Sequence, residues 1–250
     1  MPEALAAALA TPGLWAIAAT YFCAGVVRGF TGFGTALIVV PVAGIYLEPL
    51  AILLMITVSG ILSNLYLVPH AWHAADRGEV GALTLGAVPG VLLGMFLLNY
   101  VEPVGIRWVV AGVSAVTLVA VISGWQWRGR LRAKGLATVG AAAGTVGGLT
   151  ALTGPIAIMF YLANARQAQA VRANMILFLG ALDVLLISNI AVTGALTVQG
   201  IWLGALVSVP YITTIFVGQA LFDPSRERAY RIAAYTIAIL ALLTGLPIWE

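Results

Sequence analysis

The sequence predicts an all-α integral membrane protein made of two inverted repeats, each a re-entrant or broken helical hairpin followed by three transmembrane helices. Three observations carry this expectation: a composition too apolar for water, six apolar segments of membrane-crossing length, and two Gly-rich interruptions that resemble one another. Of 250 residues, 62% are hydrophobic and only 8% charged, and mean hydropathy is +1.04. Soluble domains carry about 25% charged residues, so burial in lipid is the environment that suits this chain. Apolar stretches recur along the whole length and leave no room for a soluble domain, so residues 1–250 read as a single membrane domain. The opening "MPEALAAALATPGLW" lacks a basic region followed by a small-residue cleavage site, so no removable signal peptide is expected.

The continuous apolar spans are 49–68, 80–100, 108–127, 173–192, 201–222 and 229–249. Each is near the 20 residues that an α-helix needs to cross a roughly 30 Å hydrocarbon core. Two regions remain, 14–47 and 136–164, where apolar sequence is broken by clustered Gly, Thr and Pro. In the first, arms over 14–28 and 35–47 would be about 22 and 20 Å long, short of a full crossing. Both regions are therefore expected to be hairpins of half-helices.

The halves align. "AGVVRGFTGF" at 24–33 matches "AGTVGGLTAL" at 143–152 without a gap, and "VP" at 88–89 with "EPVGIR" at 102–107 match "VP" at 209–210 with "DPSRER" at 223–228. The predicted organisation is repeat 1 over about 14–127, a linker at 128–135 and repeat 2 over about 136–250. The linker "RGRLRAKG" carries four basic residues and no acid, which places it in the cytoplasm. If each Gly-rich hairpin returns to its starting side, loops 70–79, 164–172 and 223–231 are cytoplasmic too, and both termini lie outside. Ten of the twelve basic residues then fall inside, leaving Arg107 outside and Arg28 within the membrane. Three full crossings per half give the halves opposite orientations.

Broken helices from inverted repeats that meet near the membrane midplane are a recurrent transporter plan. Non-helical backbone at that depth is tolerated only against protein or a watery cavity, so "RGFTGFGT" and "GGLTALTGP" are expected to line one. Gly29, Gly32, Gly34 and Gly154 would let the backbone approach a ligand, and the half-helices that start near Gly34 and Pro155 would offer free N–H groups to an anion. Thr31, Thr35, Thr150 and Thr153 could add hydroxyl contacts, although a threonine can equally bond back to its own helix. A guanidinium in the membrane costs from about 2.5 to more than 10 kcal/mol unless it is hydrated or paired. Arg28 is thus either an anion clamp or a structural arginine that caps carbonyls or snorkels outward.

Asp183 is the only acid inside a span; it could pair with Arg28, carry a proton or hold a broken helix. Arg172 and Asn174 open the fourth span, with substrate contact and ordinary positive-inside bias as competing roles for Arg172. Asn64 and Asn189, each preceded by Ser, suit interhelical hydrogen bonding. One cysteine and two loop histidines, His70 and His73, make no metal set, and no Ser/His/Asp set or P-loop is present. The chain is therefore expected to be no enzyme and to need no metal, cofactor or nucleic acid. Its expected partners are lipid and a small anion, and its oligomeric state is left open.

At these residues the chain resembles the sulfite exporter TauE/SafE family of bacterial membrane permeases, also called the sulfonate uptake permease family. The likeness rests on "RGFTGFGTALIVVP" followed by "LEP", and on "GGLTALTGPIAIMFYLA" followed by "QAVRAN". The resemblance implies export or uptake of sulfite, sulfoacetate or related organosulfonates across the inner membrane. The second tip, "TALTGP", has fewer glycines than many relatives. A secondary transporter working by alternating access, more simply an exporter, is the expected function; an anion channel and a proton-coupled importer of organic anions are the alternatives.

Overall fold

The computed structural model describes residues 2–123, 132–163, 168–220 and 227–248. Among the described residues the regular structure is entirely helical. A short α1 (Pro2–Leu9) precedes two runs of five: α2 (Leu14–Thr31), α3 (Thr35–Ala43), α4 (Pro49–Ala71), α5 (Arg77–Leu98) and α6 (Pro103–Ile122), then α7 (Ala133–Thr150), α8 (Gly154–Ala163), α9 (Ala168–Val192), α10 (Val198–Ala220) and α11 (Glu227–Thr244). By length and hydropathy α2, α4, α5, α6, α10 and residues Gln169–Val192 of α9 can each cross a membrane. The chain is a multi-pass membrane protein.

Both Gly-rich regions break into two helices. α2 stops at Gly32, whose φ of 80° is left-handed, and α3 starts after Gly34, whose φ is 101°. Two left-handed residues so close together cannot continue a right-handed helix. α7 stops at Ala151, whose φ of 62° makes it the one non-glycine residue with positive φ among those described. Such a conformation costs an L-residue roughly 1–2 kcal/mol.

Several boundaries differ from the sequence expectation. α2 continues through Arg28 to Thr31, where the first arm was expected to end at 28, because Gly29 packs directly on α10 beside Ile215 and Gly218 and the helix breaks only where φ turns positive. Its 18 residues extend about 27 Å, the length of a crossing. α6 begins at Pro103 instead of 108 and ends at Ile122, since proline is well accommodated at the first helical position after the extended Glu102. α9 and α10 likewise begin a few residues before the spans expected from 173 and 201. Of the span expected over 229–249, the apolar helix among the described residues is the shorter Tyr235–Thr244, because charged residues open α11. Residues 124–131, 164–167, 221–226 and 249–250, which include much of the three basic loops and the ends of three expected spans, lie outside the described residues.

Packing partners correspond between the two runs. α2 lies on α10 as α7 lies on α5; α4 touches α10 as α9 touches α5; α3 touches α11 as α8 touches α6; and α4 meets α9. The two tight interfaces are built on glycine. A Cβ at Gly86, Gly90 or Gly94 of α5 would collide with the carbonyls of Ala137, Ala141 or Thr145 on α7, and one at Gly140 or Gly144 would collide with those of Leu83 or Ala87. In the other pair, Gly25 and Gly29 of α2 face the carbonyls of Tyr211 and Ile215, while Gly218 of α10 faces that of Val26. In lipid, where apolar side chains gain nothing by leaving solvent, such close backbone approach is a main source of helix association.

One end of the molecule gathers the end of α1, the starts of α2 and α10, the α3–α4 turn, the α5–α6 turn and the end of α11. There Tyr46 covers Gly13, Arg107 donates to Gly245 O at 3.5 Å, and Gln199 donates to Ala7 O at 3.4 Å. The opposite end holds the α4–α5 turn and the start of α9, joined by the Asp76 N–H bond to Asn174 Oδ1 at 2.7 Å. Between them, both hairpin tips abut the middles of α4, α9 and α10, at Gly60, Asp183 and Tyr211.

Gly140→Val should destabilise the protein by about 1–3 kcal/mol through overpacking, read as a lowered thermal midpoint in detergent. Gly112→Ala, at a position with nothing within 4 Å of the added carbon, should leave the midpoint unchanged.

Candidate functional site

The two tips enclose a small cavity, about 20 Å³ in volume, room for roughly one water molecule. Its walls are the first turn of α3 (Gly34, Thr35, Ala36), the first turn of α8 (Gly154, Pro155) with Thr153, and side chains from four long helices: Arg28, Ile56, Asp183 and Tyr211. Free N–H groups at a helix start carry positive character, so α3 points donors into this space. α8 offers fewer, since Pro155 has no N–H.

Arg28 is only 5% exposed. One terminal nitrogen donates to Asn64 Oδ1 at 2.8 Å, and Asn64 Nδ2 donates to Asp183 Oδ2 at 2.9 Å. The guanidinium and the carboxylate are thus linked through an amide without touching. Gly60 makes room for the carboxylate, because a Cβ there would lie 2.7 Å from Asp183 Cγ. Arg28 Nε is buried and has no hydrogen-bond partner among the described residues. A guanidinium with one satisfied end and one unsatisfied nitrogen beside a cavity holds binding capacity that an oxyanion could use.

Two fully buried tyrosines brace the site. Tyr211 pairs with Thr35 Oγ1 at 2.6 Å, and Tyr21 with Ser59 Oγ at 2.9 Å. Their rings meet edge to face with centroids 5.3 Å apart. Neither tyrosine nor Ser59 nor Gly60 stood out in the sequence. Tyr211 follows the second "VP" where the first is followed by Gly90, which is the one signal that could have singled it out.

The other expected residues fall in different places. Thr31 Oγ1 lies 2.8 Å from Val27 O and 2.7 Å from Phe33 O, and it accepts from Phe33 N. Thr150 Oγ1 donates to Val146 O at 2.6 Å and accepts from Leu152 N. These hydroxyls serve the helix ends at the tips. Gly29 and Gly32 meet Arg172, whose terminal nitrogen donates to Gly29 O at 2.6 Å and whose stem lies against Gly32. Arg172 therefore caps the carbonyl end of α2, where a cation is favoured. It also lines a separate cavity of about 210 Å³ with His70 and Gln219.

Asn174 is fully buried away from the tips and donates to Glu79 Oε2 at 3.3 Å, fastening α9 to the α4–α5 turn. Asn189, which shares a Ser-Asn context with Asn64, has no part in this chain of bonds; the residue that Asn64 meets is Asp183, at a separation of 119 residues. Among the described residues no three His, Cys, Asp or Glu side chains gather as a metal set would require.

A polytopic helical bundle with two broken hairpins and a charged cavity at mid-depth is the form of a membrane transport protein. The sequence profile of the sulfite exporter TauE/SafE family matches residues 17–244, nearly the whole chain. The protein belongs to that family, which is one of membrane transporters and not of enzymes. Neither curated proteins nor solved structures gave a match.

Asn64→Leu would leave a buried guanidinium and a buried carboxylate without their shared partner. It should cost about 3 kcal/mol. Asn189→Leu should cost less than about 1 kcal/mol in the same thermal or denaturant measurement.

Proposed function

We propose that this chain is a secondary transporter that exports a small sulfur-containing or organic oxyanion, sulfite or an organosulfonate, through the mid-depth cavity between the two tips. The carrying observation is Arg28: a buried guanidinium with an unpartnered Nε, lining a cavity that the first turns of α3 and α8 also line. Two fixed helix starts and a preformed cation recognise negative charge without recruiting water. Thr35, Thr153 and Tyr211 supply hydroxyls at the same wall. Sulfite as the cargo follows the family's name.

Alternating access follows from size. At about 20 Å³ the cavity is too small for an oxyanion, so the tips must separate to admit one. The same closure argues for a carrier in preference to an anion channel, which would need a continuous pore. Two related halves provide the moving parts, with 14–127 and 136–250 as repeats in opposite orientation. Support comes from α2 and α7, both of 18 residues, from tips that end in left-handed residues at Gly32 and Ala151, and from the exchanged packing partners. We place the basic loops 70–79, 128–135, 164–172 and 223–231 in the cytoplasm and both termini outside the inner membrane, by the positive-inside rule.

Direction follows from charge: a monovalent anion leaving a negative-inside cell moves downhill by roughly 2.3 kcal/mol per 100 mV. Import would oppose that term. Asp183, lining the cavity with Arg28, is the observation that favours a second reading, proton-coupled import, in which the carboxylate takes up a proton when the anion arrives.

Purified protein in liposomes should move labelled sulfite, and Arg28→Ala should slow that flux by roughly 100-fold. Full flux in a folded Arg28→Ala variant would refute the clamp. Sulfite flux that acidifies the receiving compartment in the native protein, and loses that proton movement in Asp183→Asn, would establish the second reading over simple export.

A further inference from the structure

A cavity much larger than the one between the tips lies elsewhere among the described residues. It has a volume of about 260 Å³ and opens at the end that gathers the start of α2 and the end of α11. Arg107 and Glu48 are its charged residues, and its remaining walls are largely apolar, with Val40 and Ile52 on the inner side and Thr150 of the second tip at its floor. The first turns of α4 and α6, at Pro49 and Pro103, line it as well.

This cavity and the tip cavity lie in series. Ile52 of the outer space and Ile56 of the central one are one turn apart on α4, and Val40 and Leu37 are one turn apart on α3. On the other side, Leu179 of the central space and Ile176 of the Arg172 cavity are likewise one turn apart on α9. Three cavities thus follow one another from end to end, and each contains one arginine: Arg107, Arg28 and Arg172.

We infer that the Arg107 cavity is a second anion-binding site, an antechamber that holds a small organic or sulfur oxyanion between the tip site and the medium. Twelve basic residues serve the whole chain, and Arg107 is half-buried in the first part of α6, close to the positive end of that helix, where a cation gains nothing from the dipole. Arg107 donates to Gly245 O, a neutral acceptor that leaves its charge in place. An anion beside it would meet both the guanidinium and two helix starts. Glu48 is exposed, so solvent screens its field, whereas the half-buried guanidinium is screened less. The apolar walls suit the carbon body of a sulfonate or carboxylate, and the volume accepts an anion that the contracted tip site does not.

The inference deepens the transport reading and rests on it, so its test reads the cavity itself. Val104 lines the space and is 48% exposed. In a Cys23→Ser background, which removes the only native cysteine, Val104→Cys would be labelled with an anionic and with a cationic methanethiosulfonate. The anionic reagent should react at least about tenfold faster, the scale of electrostatic steering. Arg107→Gln should abolish that preference and Arg107→Lys should keep it, which separates charge from misfolding. Millimolar sulfite should slow labelling, and should still do so in Arg28→Ala. Equal rates, a faster cationic reagent, or a preference that survives Arg107→Gln would overturn the antechamber. Failure of the central clamp would show separately, as transport that survives Arg28→Ala.

Discussion

The hydrogen-bonded chain from Arg28 through Asn64 to Asp183 is the constraint around which the rest of the structure is arranged. A guanidinium at mid-depth is tolerable only when its charge is answered. A direct ion pair with Asp183 would answer it fully and leave little to offer a ligand. The interposed amide holds the two charges near each other, satisfies one nitrogen and one carboxylate oxygen, and leaves Arg28 Nε unspent. Everything nearby serves this geometry. Gly60 yields the volume that Asp183 occupies, and α2 carries Arg28 to the tip because Gly25 and Gly29 let it lie directly on α10.

Two kinds of interface divide the labour. α5 with α7 and α2 with α10 meet backbone to backbone through glycines, where added volume has nowhere to go. Such contacts move as rigid pairs if they move at all. α4 and α9 meet side chain to glycine, with Asp183 over Gly60 and with Val68 and Asn64 against Gly180, and through the Asn64–Asp183 bond. On the proposed mechanism, separation of the tips falls at these softer contacts, and each tight pair couples a helix of one half to a helix of the other. The α2–α10 pair carries Arg28 and Tyr211 together, so the clamp and its hydroxyl neighbour would shift as one body.

Five of the six expected membrane spans and both helix breaks were legible in the sequence because each has a local cause. α2, expected as a short arm, is long enough to cross, and the span expected over 229–249 is not among the described helices that are. Runs of about 20 apolar residues span lipid whatever they pack against, and Gly32 and Gly34 break a helix wherever they stand in the left-handed region. Arg28 was legible because charge in such a setting needs a reason. Its partner was not. The expected role of Asn64, hydrogen bonding between helices, holds, but the sequence did not say to which residue, because depth on a neighbouring helix decides who meets whom. Asn64 meets Asp183. Tyr21, Ser59 and Tyr211 escaped notice for the same reason: each is an ordinary residue on an ordinary span, and only the crossing of α2, α4 and α10 assembles them. Arg172 and Asn174 stand in one motif yet face different neighbours, Gly29 and Glu79, because they are two residues apart on a helix.

The site is lopsided, and the reason is steric. The residue that aligns with Arg28 in the second half is Gly147. A Cβ at Gly147 would lie 2.6 Å from Thr153 Cγ2, so the second tip folds over the space that a side chain would need. It closes there with Thr153 against the cavity and Ala151 strained into the left-handed region. The first tip uses two glycines to turn and keeps room for a guanidinium; the second uses one strained alanine and keeps none. A pair of arginines facing each other across about 20 Å³ would repel strongly in so dry a setting. One arginine answered by one acid through one amide leaves the empty site close to neutral, and an arriving anion then tips that balance. On the proposed reading, the net charge of the closed site is therefore set by what occupies it.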